Sequence, residues 1–282
     1  MNNKKNKIKT ILITGTSSGI GRETAVRLAK EGHKVFAGVR RKVDKQELER
    51  LNPNIIGVYI DITNPASIDK AFWFVLKNTK KLDVLINNAG IVIAGPIELL
   101  DVKKLREQFD VNTFGAIAVT QKFLPLLKDG KIINISSMTS HGLFPYISPY
   151  CASKRALDIL FNSFALENKD NIKVISIKPA SIKTPIWNKS IKRAHENVET
   201  INDAAKAKYF KEMSFLERNA FENNTKGIEI YRVVDKILEV INKKNPKSSY
   251  NVGVKACLVE QFSKLPQCFT NFVIKRKLKN IK

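Results

Sequence analysis

Tyr150 and Lys154 stand four residues apart in Pro149-Tyr150-Cys151-Ala152-Ser153-Lys154-Arg155-Ala156, a spacing that puts a phenol and an ammonium on one face of a helix. Such a pair can move a proton at neutral pH. An unperturbed tyrosine titrates near ~10, so keeping even a fraction as phenolate at pH 7 takes roughly 3 units of help, about 4 kcal/mol. A neighbouring cation favours the charged form and can supply much of it. A second pattern suits a phosphate. Ile11-Leu12-Ile13-Thr14-Gly15-Thr16-Ser17-Ser18-Gly19-Ile20-Gly21-Arg22 passes from an apolar run into glycines and then into a helical pattern through Lys30. It reads as strand, tight turn and helix N-terminus, where glycines admit a pyrophosphate and the first amides attract its charge. Each pattern alone also fits a bland reading, a surface tyrosine beside a solvated lysine or a simple loop. Their company in one alternating chain favours chemistry.

In order and spacing these residues resemble the short-chain dehydrogenase/reductase family of the Tyr-x-x-x-Lys type. The glycine spacing of Gly15, Gly19 and Gly21 is that family's form. The match continues with Asp61 after the third strand, Asn87-Asn88-Ala89-Gly90 after the fourth, and Asn112 in Phe109-Asp110-Val111-Asn112. It closes with Ser137 in Asn134-Ile135-Ser136-Ser137, the Tyr150/Lys154 pair, and Pro179 followed by Thr184. It covers about residues 8 to 190.

The resemblance implies hydride transfer between a nicotinamide cofactor and a carbonyl or secondary alcohol. It makes Asn112, Ser137, Tyr150 and Lys154 the catalytic set: Tyr150 exchanges the proton, Ser137 orients the oxygen, Lys154 bonds the nicotinamide ribose and lowers the Tyr150 pKa, and Asn112 holds a water. Gly15, Ser17, Ser18, Gly19, Ile20 and Gly21 would cradle the pyrophosphate. Asp61 and Ile62 would border the adenine, Asn88, Ala89 and Gly90 would pass beside the cofactor, and Pro179, Ala180, Ile182 and Thr184 would lie at the nicotinamide end. Pro179-Ala180 stands where the family commonly has Pro-Gly. Leu143-Phe144-Pro145 and Ile182-Lys183-Thr184-Pro185-Ile186-Trp187 are similar to the 17β-hydroxysteroid and retinol dehydrogenase branch, which implies an apolar ketone or alcohol. Alternatives are a 3-oxoacyl thioester reductase and a non-catalytic NADP(H)-sensing protein. The family often pairs through helices around Asn112 and Tyr150, so a dimer or tetramer is expected.

After the second strand, Val35-Phe36-Ala37-Gly38-Val39-Arg40-Arg41-Lys42 lacks the acidic residue that holds a ribose 2′-hydroxyl, and a guanidinium suits a 2′-phosphate instead. Arg40, then Arg41, are the candidates. NADP(H) is therefore preferred over NAD(H).

These residues need a frame that brings them together. Apolar strands near 9–14, 34–39, 55–60, 82–87, 131–136, 172–177 and 249–253 alternate with amphipathic helices. The pattern predicts an α/β, Rossmann-like doubly wound domain, a seven-stranded, mostly parallel sheet with helices on both faces. Strands such as Val84-Leu85-Ile86 are nearly all apolar, as sheets covered on both faces require. Pro65 and Pro149 suit the first turns of helices. One domain is expected over 1–254, with a helical lid over about 185–228 that offers Trp187, Tyr209, Phe210, Met213, Phe215, Leu216 and Phe221 to a pocket.

Residues 255–282 form a basic amphipathic tail with seven basic residues against one acidic, Glu260. It suits an anionic membrane surface, and equally a core edge or a partner subunit. The net charge of +23 raises nucleic acid as a partner, but the lysines are spread without the interleaved aromatics of a base-stacking platform, which argues against it. Cys151, Cys257 and Cys268 form no metal spacing or even framework, and His33, His141 and His195 no metal cluster. No secretory leader and no spanning segment are read. A cytoplasmic protein without metal is expected.

Overall fold

Short runs at Thr10–Ile13 (β1), Lys34–Val39 (β2), Ile55–Tyr59 (β3), Val84–Asn87 (β4), Lys131–Ile135 (β5), Lys173–Pro179 (β6) and Ser249–Val252 (β7), rich in β-branched residues in all but the last, form one seven-stranded sheet. The computed structural model describes residues 7–199 and 203–279. Residues 1–6, 200–202 of the expected lid and 280–282 of the tail lie outside them, as does the side chain of His195. Strand order is β3-β2-β1-β4-β5-β6-β7, with every pairing parallel.

Among the described residues, eleven α-helices connect and flank these strands: α1 (Gly19–Lys30), α2 (Lys42–Leu51), α3 (Pro65–Asn78), α4 (Val102–Phe109), α5 (Gly115–Phe123), α6 (Ser148–Glu167), α7 (Ile186–Glu199), α8 (Asp203–Lys226), α9 (Ile230–Asn242), α10 (Val254–Ser263) and α11 (Gln267–Lys279). Pro65 begins α3 behind the cap Asn64, whose side chain accepts from the Ser67 amide at 3.2 Å. Side chains alternate across the sheet. Ile11, Ile13, Val35, Ile86 and Ile133 pack under α1 and α9, with Leu28 and Ile237 among the buried partners. On the other face Leu12, Phe36, Leu85 and Ile132 pack under α3, α5 and α6, against Val75, Val119 and Leu157.

The chain leaves β1 in one direction towards β2 and later returns to pair β4 on its other side. That reversal opens a crevice beyond the carboxyl ends of the strands, where doubly wound sheets bind ligands. The segment holding α7 and α8 leaves and re-enters the body at one point. The Ile228 amide donates to the Ser181 carbonyl at 2.8 Å and the Lys183 amide to the Ile228 carbonyl at 3.1 Å. After β7, α10 buries Ala256 against Met138 and Ala180, while α11 buries none of its residues.

Candidate active site

At the crevice, β1 ends in a turn whose geometry favours glycine. Gly15 and Gly19 have φ of +69° and +62°, in the left-handed region. A Cβ on Gly15 would stand 2.7 Å from the Ala89 Cα, and one on Gly21 2.3 Å from Asn88 Nδ2. Asn88 braces this turn: its Nδ2 donates to the carbonyls of Thr14 at 2.8 Å and Gly15 at 2.9 Å. The Thr14 hydroxyl accepts from the Asn88 and Ala89 amides at 3.1 Å each. Ser18 precedes α1 without a side-chain cap, and the first turn carries no acidic residue. The backbone donors at that helix end are thus suited to an anion.

Ser137 ends the extended segment after β5, and its Oγ accepts from the Thr139 amide at 3.2 Å as it opens a short 3₁₀ turn, Met138–His141. Tyr150 follows in the first turn of α6, its phenol hydrogen-bonded to the Ser137 side chain. Lys154 is 5 % exposed; its Nζ donates to the Ile135 carbonyl at 2.8 Å and lies 5.9 Å from the Tyr150 ring centroid. Burial pushes the Tyr150 phenol up to about 12, opposed by the Ser137 bond. Burial likewise pushes the Lys154 ammonium down to about 8, opposed by the charge of Asp158. Desolvation is the largest influence on both groups, and the Ser137 hydrogen bond is what opposes it at Tyr150. Cys151 beside it is buried, and burial pushes its thiol up to about 11.

Asn112 sits in a single π turn, Asp110–Phe114. Its Oδ1 accepts from the Ile91 amide at 2.8 Å, and its Nδ2 donates to the Ile91 carbonyl at 3.0 Å and the Ser153 Oγ at 3.1 Å. Both amide hydrogens are therefore used on protein. The side chain thereby pins the loop after β4 to α6.

One cleft of about 730 Å³ takes in Gly15, Ser17, Ser18, Gly19, Ile20, Arg40, Arg41, Asp61, Ile62, Asn88, Ala89, Gly90, Ser137, Tyr150, Lys154, Pro179, Ala180, Ile182 and Thr184. Gly21 and Asn112 stand behind its wall. At the β2 end, Arg40 is exposed, whereas Arg41 is held by Asp44 through bonds of 2.8 Å and 2.6 Å. Asp61 accepts from the Thr63 amide and hydroxyl at 3.0 Å and 2.7 Å. Burial opposes its ionisation, yet those bonds and the charge of Arg40 hold it below the usual carboxylate range.

Asp44 is the acidic residue the sequence reading missed. Its only sequence signal is a position three residues after Arg41. The reading also credited α8 with pocket aromatics. The cleft wall comes instead from α7, through Trp187, Lys189, Ser190 and Arg193; Phe210 and Phe221 are 70 % and 66 % exposed, and Tyr209, Met213, Phe215 and Leu216 do not border the cleft. Trp187 is fixed by its Nε1 donating to the Ile182 carbonyl at 2.8 Å.

Against known proteins, residues 9–195 match the family model described as short chain dehydrogenase. An NADPH-dependent 3-dehydrocapnine reductase of Ornithobacterium rhinotracheale is 32 % identical over 255 residues, covering 86 % of this chain and 88 % of that one. A 3-ketodihydrosphingosine reductase of Bacteroides thetaiotaomicron is 30 % identical over 272 residues, covering 94 % and 96 %. A solved short-chain dehydrogenase from Streptomyces avermitilis superposes with a TM-score of 0.76 at 22 % identity over 97 % of each chain. Another, from Burkholderia cenocepacia in complex with NADP, gives 0.69 at 25 % identity over 90 % and 92 %.

Proposed function

The chain belongs to the short-chain dehydrogenase family and is an oxidoreductase, and from that premise we propose that it is an NADP(H)-dependent reductase of an apolar ketone, running in reverse on the secondary alcohol. The observation that carries the reading is the convergence of Ser137, Tyr150 and Lys154 on the cleft that also holds the glycine turn. The residues fit a dinucleotide: a Cβ on Gly15 would fill the cradle against Ala89, and Arg40 is exposed beside Asp61 at the end where a 2′-phosphate would lie. A bound nicotinamide supplies or takes the hydride.

The protein moves the proton. Ser137 Oγ holds the carbonyl oxygen and the Tyr150 phenol delivers a proton to it. Lys154 keeps a positive charge beneath the pair. One of its three N–H groups is spent on Ile135, leaving two for ribose hydroxyls or a water. An apolar substrate is supported by Val92, Met138, Ile147, Ile186 and Trp187 on the cleft wall. NADP(H) over NAD(H) is supported by the exposed Arg40 and by the NADPH-dependent relative. A homo-oligomer is supported by the apolar side chains exposed on and beside α4 to α6, among them Val102, Phe114, Ile159 and Leu160. A reducing cytoplasmic setting suits the three free cysteines.

The test is fluorescence titration with NADPH and NADH, followed by turnover of a panel of apolar ketones by wild type and Tyr150→Phe. Tight NADPH binding retained in Tyr150→Phe, with turnover reduced by about 10²- to 10⁴-fold, is expected. Turnover that survives the substitution sinks the mechanism, and stronger binding of NADH sinks the cofactor preference.

A further inference from the structure

The thirteen residues of α11 form a helix with no buried side chain, packed chiefly against α10. A helix of that length is marginal in water without a surface to cover it. Across α10, the connection and α11, five large apolar side chains face solvent: Val254, Leu258, Leu265, Phe269 and Phe272, exposed by 77, 64, 43, 50 and 62 %. Val254 and Leu258 share one face of α10, Phe269 and Phe272 one face of α11, and Leu265 lies in the connection between them. Around them stand Lys255, Lys264, Lys275, Arg276, Lys277 and Lys279. The single acidic residue, Glu260, is already engaged by Asn251 Nδ2 at 2.6 Å and by Lys264 at 3.8 Å. Lys255 and the α11 cations form no ion pair among the described residues.

We propose that α10 and α11 dock the protein peripherally on an anionic lipid bilayer, with the Phe269 and Phe272 rings at the level of the headgroups and the cations on the phosphates. Charge decides the occupant. A second copy of the chain would bring the same basic tail to the contact, so like charges would oppose pairing through this face. An anionic lipid surface attracts each of those lysines and arginines, and it accepts two adjacent helices at once without needing a groove. The described helices do not span: none is long and apolar enough to cross a membrane. They lie on the surface. Ala256 of α10 packs on Met138 and Ala180, both on the cleft wall. Docking would therefore bring the substrate end of the cleft beside the bilayer, a natural source of an apolar ketone. The docking itself stands apart from the reaction proposed above.

The experiment is flotation of the full chain with vesicles of phosphatidylcholine alone and of phosphatidylcholine with phosphatidylglycerol, at low and high salt. Two variants are compared with wild type: Phe269→Ala/Phe272→Ala and Lys275→Ala/Arg276→Ala/Lys277→Ala. The altered side chains are not buried, so the thermal midpoint and NADPH binding in solution should be retained. Expected are binding to the anionic vesicles alone and its loss by about tenfold or more in high salt and in each variant. Absence of binding, equal binding to both vesicles, or binding indifferent to the variants overturns the proposal. So does a dimer in solution that dissociates in the phenylalanine variant.

Discussion

Lys154 is the residue whose ionisation sets the alkaline limit of the reaction. Its ammonium is pushed down to about 8 by burial, while the Tyr150 phenol is pushed up to about 12, so on raising the pH the lysine loses its proton first. A depressed lysine is charged below its folded pKa and neutral above it. The free enzyme should show kcat/KM for ketone reduction falling above about pH 8, with the phenol still protonated. A flat profile through pH 10 would show that Lys154 is not the controlling group. A second residue-scale prediction concerns Asp44, which uses two N–H groups of Arg41. A fork closed on a carboxylate is not open to a phosphate. Asp44→Asn should tighten binding of 2′,5′-ADP by roughly two- to tenfold and leave AMP unchanged. Calorimetry distinguishes this from a positioning role, in which Asp44→Asn would weaken 2′,5′-ADP. Arg40→Ala should weaken it in either case.

Among the elements, α7 is a strap. Its Lys189 Nζ reaches the Ser18 Oγ at 3.3 Å, and its Arg193 reaches Glu107 of α4 at 3.7 Å, so it is tied to both sides of the cleft. Both ties are at the surface and screened by salt. Glu107→Gln should therefore raise KM by about two- to fivefold with kcat nearly kept, and should expose α7 to limited proteolysis. Unchanged KM and an unchanged cleavage pattern would dismiss the strap.

The contrast between this helix and the strands marks what a sequence discloses. Strands hidden on both faces must be nearly continuously apolar, so the inner strands are legible, with ends shifted by the ladder; the edge strand β7, Ser249-Tyr250-Asn251-Val252, buries only Val252 and is the least apolar of the seven. The strand expected at 172–177 runs to Pro179 because Pro179 pairs with Val252 of β7. Glycines with positive φ, Asn64 capping α3 and the Tyr150/Lys154 spacing are local and equally legible. Three features are not. Asp44 meets Arg41 only once α2 has its direction, the amide of Asn112 is consumed by a loop twenty-one residues earlier, and which of two lid helices faces the cleft depends on how they pack.

At the scale of the whole molecule, 49 basic residues against 26 acidic leave a charge of +23, and this sets how stability answers to salt. The acids are largely spoken for: Glu239 is shared by Lys236 and Lys243, Glu260 by Lys264 and Asn251, and Asp69 by Lys122. Added salt weakens such surface pairs, each of modest worth. It also relieves the repulsion among the unmatched lysines, which is summed over the entire surface and favours the unfolded, expanded chain. The second effect should win, since the excess of cations nearly equals the total of acids available to pair with them. The thermal midpoint should therefore rise on going from about 0.02 to about 0.3 M sodium chloride, a range in which the Debye length falls from about 20 Å to about 6 Å. A neutral osmolyte at matched osmolality, which does not screen charge, serves as the control. A midpoint that falls with salt would mean that the paired charges, and not the excess, dominate the electrostatics of the fold. Charge reversal of Lys275, Arg276 and Lys277 to glutamate should then separate the two sources. It lowers the net charge by six without touching a buried contact, and it should flatten the salt dependence.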